Sequence, residues 1–148
     1  MKRVVPVIGG VVFLLFAGAW LFWRFELRRL RSPESVVHET GLRLPDHARI
    51  TATRAHLFSL VDANNFDWLV LSDISLLPWA TANMQAETGG WAHIRQLSEL
   101  GFPEEMPRDS QFGGVWRESR RSRGGREETA YLYLAADGRV GILSTFRP

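Results

Sequence analysis

From Val4 to Trp23 the chain runs for twenty residues without a charge, and no other feature limits its architecture so severely. A helix of that length, rising about 1.5 Å per residue, covers the roughly 30 Å of a bilayer's hydrocarbon. The segment is therefore expected to cross a membrane once and to act as an anchor. Pro6 falls in the first turn, where a missing N–H breaks no intrahelical bond. Trp20, Phe22, Trp23 and Phe25 cluster where an aromatic belt lies, and Arg24, Arg28, Arg29 and Arg31 stop the run. The competing reading is a signal peptide, with Met1-Lys2-Arg3 as its basic start and Ala17-Gly18-Ala19 as its cleavage site. Cleavage there leaves Trp20-Leu21-Phe22-Trp23 at a new N-terminus, so the uncleaved anchor is preferred. Gly9-Gly10 and Ala17-Gly18-Ala19 permit close helix approach without forming a Gly-x-x-x-Gly pair.

Of the 148 residues, roughly 115–120 remain beyond this run and its flanks, enough for one small domain and too few for a multidomain enzyme. A composition 45% hydrophobic, with 6 Trp and 9 Phe, excludes a disordered chain. The absence of cysteine removes disulfide frameworks, thiol nucleophiles and thiolate metal sites, but assigns no compartment. Residues 1–31 carry Lys2, Arg3, Arg24, Arg28, Arg29 and Arg31 against Glu26, a balance of +5, whereas residues 32–148 balance at −3. The apparent basicity belongs to the membrane flanks, so nucleic acid is not expected as a partner. Arg outnumbers Lys 17 to 1, which suits a GC-rich bacterial genome.

Orientation is less constrained. Four arginines after the segment lean towards a cytoplasmic domain by the positive-inside rule. A short tail with Lys2, Arg3 and a free amine is nevertheless costly to translocate. The expectation is an N-terminus inside, with the domain periplasmic or extracellular, on the inner membrane.

Three parts are expected: an anchor with basic flanks over 1–31, a juxtamembrane helix and loop over 32–48, and an α+β domain over 49–148. Ser32-Pro33 opens the short helix and Gly41 ends it. Residues 49–61 and 66–74 read as a hairpin joined by Asp62-Ala63-Asn64-Asn65, with Phe66, Trp68, Val70 and Ile74 facing a core. Pro78 opens a helix holding Trp79, Ala82, Met84 and Ala86, ended by Gly89-Gly90. A further helix is expected over Trp91–Leu100, capped by Gly101 and followed by a loop over 101–114. Strands at 114–119, 129–136 and 139–146 complete the chain, with Asp137-Gly138 as a primed two-residue turn. The pattern of hairpin, helices and meander predicts a mainly antiparallel sheet covered on one side by helices.

Four features bear on chemistry. His38, His47 and His56 recur every nine residues, with His93 beyond, but this period fits neither a helix nor a strand face, and no metal is expected. Glu104-Glu105 and Glu127-Glu128 are neighbours in sequence and lack the across-cleft spacing of a carboxylate pair. Arg117, Arg120, Arg121, Arg123 and Arg126 are expected on one exposed interstrand loop, where guanidinium forks suit an acidic protein patch or lipid headgroups. Trp68, Trp79, Trp91 and Trp116 chiefly fill the core, with Trp79, at a helix start, the most exposed. No nucleophile elbow or phosphate loop is present, and Lys2 is the single lysine. No cofactor is implied. The resulting expectation is a non-catalytic envelope protein, held in the membrane by residues 4–23, that binds a partner protein through Trp79, Arg120, Arg121 and Arg123, as an accessory subunit or an inhibitor or immunity-type protein. The alternatives are a small tethered enzyme using scattered residues such as His56, Asp73 and His93, and a cytoplasm-facing regulator of a membrane complex.

Overall fold

The computed structural model describes residues 4–56, 65–121, 125 and 127–146, without the side chains of residues 4–9, 11, 23, 26, 27 and 56. The chain divides into two compact units, Met1–Leu30 and Arg31–Pro148.

The first unit is the helix α1, Val4–Leu30, which runs unbroken through Ala17-Gly18-Ala19 and the arginines beyond. The Arg24 guanidinium lies over the Trp20 ring, 5.1 Å from its centroid, a contact suited to an amphipathic boundary. Among the described residues no helix is long and apolar enough to cross a membrane. The uncharged run extends into Val4–Gly9, Val11 and Trp23, whose side chains lie outside that description.

The second unit is an α+β domain around one six-stranded antiparallel sheet. Its elements are α2 (Pro33–Thr40), β1 (Ala48–His56), β2 (Asn65–Ser72), α3 (Leu77–Asn83), β3 (Gln85–Glu87), β4 (Phe112–Arg121), β5 (Glu127–Ala135) and β6 (Val140–Phe146). The strand order is β1-β2-β6-β5-β4-β3, so the hairpin and the meander join through the β2–β6 pairing. β1 and β2 pair as expected, from Ala48 opposite Ser72 to His56 opposite Asn65; the turn expected between them lies outside the described residues.

α2 forms where its caps dictate. The Ser32 hydroxyl accepts from the Ser35 N–H at 3.2 Å, Pro33 takes the first position, and Gly41 closes the helix at φ 73 with its N–H on the Val37 carbonyl. This segment was expected as part of a linker, but Val36, Leu42 and Leu44 are buried and it belongs to the compact unit beginning at Arg31.

Both faces of the sheet are covered, not one. On the first, the helix face, Trp68, Leu132 and Leu143 lie side by side in register and are fully buried. α2, the loop after it and α3 close this side with Val36, Leu42, Leu44, Leu76 and Ala80. Gly141 makes room for the leucines, since a Cβ there would sit 3.0 Å from Leu134 and 3.1 Å from Leu132. On the second face, Ala52, Leu69, Val140 and Ile142 pack with Leu97, Phe102 and Met106 from the 94–110 segment. Leu69 is thus as buried as Trp68, while Ile74, expected inside, is 57% exposed.

That second cover corrects the expected helix over Trp91–Leu100. Only the 3₁₀ turn Leu97–Glu99 is helical there. Gln96 bridges to Gln111 instead, and the Leu97 N–H donates to the Ser110 carbonyl at 2.9 Å, so extended backbone pairing displaces the helix. Phe102 adopts φ 55, a conformation costly for a bulky side chain, and is buried with the Arg54 guanidinium 4.6 Å from its ring centroid. The helix after Pro78 is also shorter than expected. Met84 is already extended, and Gln85–Glu87 pairs with β4 as an edge strand. Around Asp137-Gly138 only Gly138 has positive φ, 70, and its N–H reaches the Ala135 carbonyl at 2.9 Å. The connection is therefore an ordinary turn closed by a left-handed glycine, not a primed one.

Candidate functional site

From Ala130 to Leu134 β5 alternates, burying Leu132 and Leu134 under the helices and turning Tyr131 and Tyr133 to the opposite face. In register across the sheet, Tyr131 lies opposite Ser144 and Ser144 opposite Asp67, so the three share one row. The 94–110 cover stops short of this row. Trp91 approaches from outside the sheet after Gly90, which sits at φ 81, and a turn with the Ile94 N–H on the Trp91 carbonyl at 3.0 Å fixes it.

The result is an aromatic cradle. Trp91 meets Tyr133 edge to face, with centroids 5.3 Å apart and planes at 74°. Tyr131 lies 6.2 Å from Tyr133 with planes at 24°. Asn65, Asp67, Ser144, Thr145 and Phe146 complete the lining of a cleft of about 460 Å³. The three rings are half-buried, and Phe146 is 48% exposed. Burial, reinforced by the neighbouring Tyr131 and by the Asp67 carboxylate, pushes the Tyr133 phenol from 10.0 up to about 12. It is held neutral and remains a hydrogen-bond donor throughout the physiological range.

The residues expected to bind a partner are placed differently. Arg117, Arg120 and Arg121 belong to β4 itself and not to a loop; Arg123 and Arg126 lie outside the described residues. Arg120 is a structural clamp. Its Nη2 donates to the carbonyls of His38 at 3.1 Å and Glu39 at 2.9 Å and pairs with the Glu128 carboxylate at 3.0 Å. One guanidinium thus caps the C-terminal end of α2 and ties it to β4 and β5. A Cβ at Gly41 would come within 2.6 Å of Arg120 Nη1, so the left-handed glycine also clears the way for the clamp. Arg117 pairs with Glu87 at 2.9 Å, and Arg121 is exposed. Trp79 is half-buried, its indole N–H donating to the Arg43 carbonyl at 3.0 Å, which pins α3 to the loop after α2. Trp91, not Trp79, is the tryptophan presented at a cleft.

The scattered residues considered for an enzyme are not drawn into one site. His56 and Asp73 stand at opposite ends of the β1–β2 ladder, where Asp73 is exposed and paired with Arg49 at 3.2 Å; His93 is exposed on a turn. Among the described residues no group of three or more His, Cys, Asp or Glu side chains is placed to hold a metal ion.

A second cleft, of about 550 Å³, lies between the start of α2 and the loop into β1, lined by Pro33, Glu34, Val37, Arg43, Pro45 and Asp46 among others. It sits where the chain enters the domain and holds charges of both signs without convergent aromatic rings.

Tyr131 and Tyr133 carried a signal that parity alone provides: the chain's 2 tyrosines share one side of one strand. Trp91 and Asp67 had no such signal, because their approach depends on the loop path and on the β2–β6 pairing. Compared with protein-family models, with curated proteins and with solved structures, the chain matches none.

Proposed function

We propose that this chain is a non-catalytic, single-pass, membrane-anchored bacterial envelope protein whose α+β domain binds a partner protein through the aromatic cradle. One observation carries the reading: beside the sealed part of the sheet, three large rings and Phe146 are left half-open around a cleft. Aromatic side chains beside a few polar groups are the composition of binding hot spots. The anchor is supported by the uncharged run from Val4 to Trp23 within a helix of 27 residues, and by the arginines and aromatic residues at its end.

The chain enters the domain beside Pro33, which shares a cleft with Ala48 at the start of β1, and α2 lies on the helix face through Arg120. The cradle is on the other face, towards Asn65 and Phe146 at the far ends of β2 and β6. Arg121 and Arg123 are not required in this reading, and Arg120 serves the fold.

A photo-crosslinking residue placed singly at Tyr131, Trp79 and Arg121 in intact cells tests the assignment. Capture of a discrete protein from Tyr131 alone is expected, and capture from Trp79 or Arg121 with none from Tyr131 refutes the cradle. Since the chain has no cysteine, Asp137→Cys labelled with an impermeant reagent reports topology. Labelling of a full-length chain in intact cells is expected, and protection until lysis places the domain in the cytoplasm.

A further inference from the structure

We propose that the partner presents to the cradle a proline-rich segment in the polyproline II conformation, its pyrrolidine rings lying on the aromatic side chains and its carbonyls accepting from their polar tips. The inference rests on the reading of the cradle as the protein-binding surface and adds the class of segment that surface selects. Trp91 stands at 74° to Tyr133, and Tyr131 lies at 24° to it, so two near-parallel rings on β5 are crossed by a third from outside the sheet. The polar tips of these rings are unspent. Among the described residues neither phenol nor the Trp91 indole N–H makes a hydrogen bond, and none of the three is shut off from solvent. Trp79 differs, since its indole N–H donates to the Arg43 carbonyl. Burial keeps Tyr133 protonated, so its hydroxyl stays a donor.

Most of the remaining polar lining is already engaged. The buried Thr145 hydroxyl accepts from the Phe66 N–H at 2.9 Å, and Asn65 and Asp67 each take part in an interaction of their own. What is left to a ligand is ring surface and the donors of Trp91, Tyr131 and Tyr133, with the Ser144 hydroxyl beside them. The backbone beneath is closed as well. β2, β6 and β5 are interior strands of the sheet, so a ligand cannot add a strand to the ladder there. An ordinary peptide brings an N–H at each residue and finds no ladder to satisfy it. Proline brings none, and its carbonyl is still free to accept. The polyproline II helix has no internal hydrogen bonds and is already formed before binding, and grooves lined by aromatic rings are its recurring receptors. The 6.2 Å between the Tyr131 and Tyr133 centroids matches two residues of a helix rising about 3.1 Å per residue, so ligand residues two apart meet neighbouring rings. A sugar also stacks on such rings, but each of its hydroxyls brings a donor that needs an acceptor, and the cleft supplies mostly donors.

Both tyrosines of the chain line the cradle, so isotope-labelled tyrosine rings give signals from this site and nowhere else. The full chain in lipid nanodiscs is titrated with a proline decamer blocked at both ends, with a glycine–serine decamer blocked in the same way, and with a neutral chito-oligosaccharide. Both tyrosine signals are expected to move saturably with the proline decamer and with neither of the others. Tyr131→Phe keeps the ring and removes its donor, and should weaken proline binding roughly threefold to tenfold as read at Tyr133. Tyr133→Phe should do the same as read at Tyr131. Unchanged affinity in both variants overturns the carbonyl contacts and with them the proposal. An equal or stronger response to the glycine–serine decamer or to the oligosaccharide overturns proline recognition while leaving the cradle a binding surface. Silence towards all three probes, with a protein still captured from Tyr131, overturns proline recognition in the same way. Silence together with no capture overturns both readings. If a phenylalanine variant disturbs the free protein's remaining tyrosine signal, the contrast between the two decamers in the unaltered chain decides alone.

Discussion

The two faces of this sheet are built from the same strands and finished differently. On the helix face every large side chain meets a partner: Trp68, Leu132 and Leu143 are sealed, and even the polar contact with α2, through Arg120 and Glu128, is spent on holding the cover down. The opposite face is sealed only around Leu69, Ile142 and Phe102, and one row further along it opens into Trp91, Tyr131 and Tyr133. The closed region is mostly aliphatic, and its aromatic rings, Trp68 and Phe102, are fully enclosed, so it presents no ring to a ligand. The open region uses tyrosine and tryptophan, which pack on one edge and present a polar or π surface on the other. On the proposed function, stability belongs to one region and recognition to the other, along a single β-strand.

The comparison breaks most decisively at Phe102, the plug of the sealed part of the cradle face. Phe102→Ala should cost about 3–5 kcal/mol in chemical denaturation of the full chain; a loss below about 1 kcal/mol means that the segment 94–110 is not a core element. Arg120→Ala should come next, at about 1–3 kcal/mol. It removes the pairing with Glu128 and the hydrogen bonds to the His38 and Glu39 carbonyls of α2, whereas partner capture from Tyr131 should persist. If Arg120→Ala abolishes capture without loss of stability, the arginine is a binding residue and the two faces are not divided as described.

A smaller effect is expected from pH. Tyr133 is held neutral up to about 12 against 10.0 in an unperturbed chain. Between those values the unfolded chain loses its phenolic proton and the folded one does not. Stability is therefore unaffected by this group below pH 10.0 and falls as pH rises towards about 12. An absorbance titration of the phenolates should show Tyr133 ionising late, and ionisation of Tyr133 near its ordinary value contradicts its burial in the cradle. The smallest effect belongs to Arg121→Ala, exposed and outside the cradle. It should change stability by no more than about 0.5 kcal/mol and leave partner capture from Tyr131 unchanged; loss of capture there extends the site beyond the cradle.

What the sequence made legible follows from how local each signal is. Ser32-Pro33 and Gly41 bracket α2 because capping is decided within a few residues. The hairpin and the meander are readable because alternation and turn residues are local as well. The segment from Gln85 to Gln111 was not. Gln85–Glu87 and Gln96 take extended geometry to pair with β4 and Gln111, partners remote in sequence, and tertiary pairing overrode a three-residue spacing of apolar side chains. The arginines after Val115 suggested a surface loop because their charge was read without the strand register that carries Arg120 onto the end of α2. The cradle escaped for the same reason: Tyr131 and Tyr133 sit in an expected strand, but their meeting with Asp67 depends on β6 lying between β2 and β5.

The division between the faces is tested most directly by two adjacent residues of β5, Tyr131 and Leu132, changed one at a time to alanine in the full chain and compared in denaturation midpoint and in capture of the crosslinked protein from Trp91. The account predicts that Leu132→Ala loses about 2–5 kcal/mol while its folded fraction still binds, and that Tyr131→Ala loses about 1 kcal/mol or less and no longer binds. Equal destabilisation by the two substitutions, with binding retained in Tyr131→Ala, would show that the cradle is simply more core.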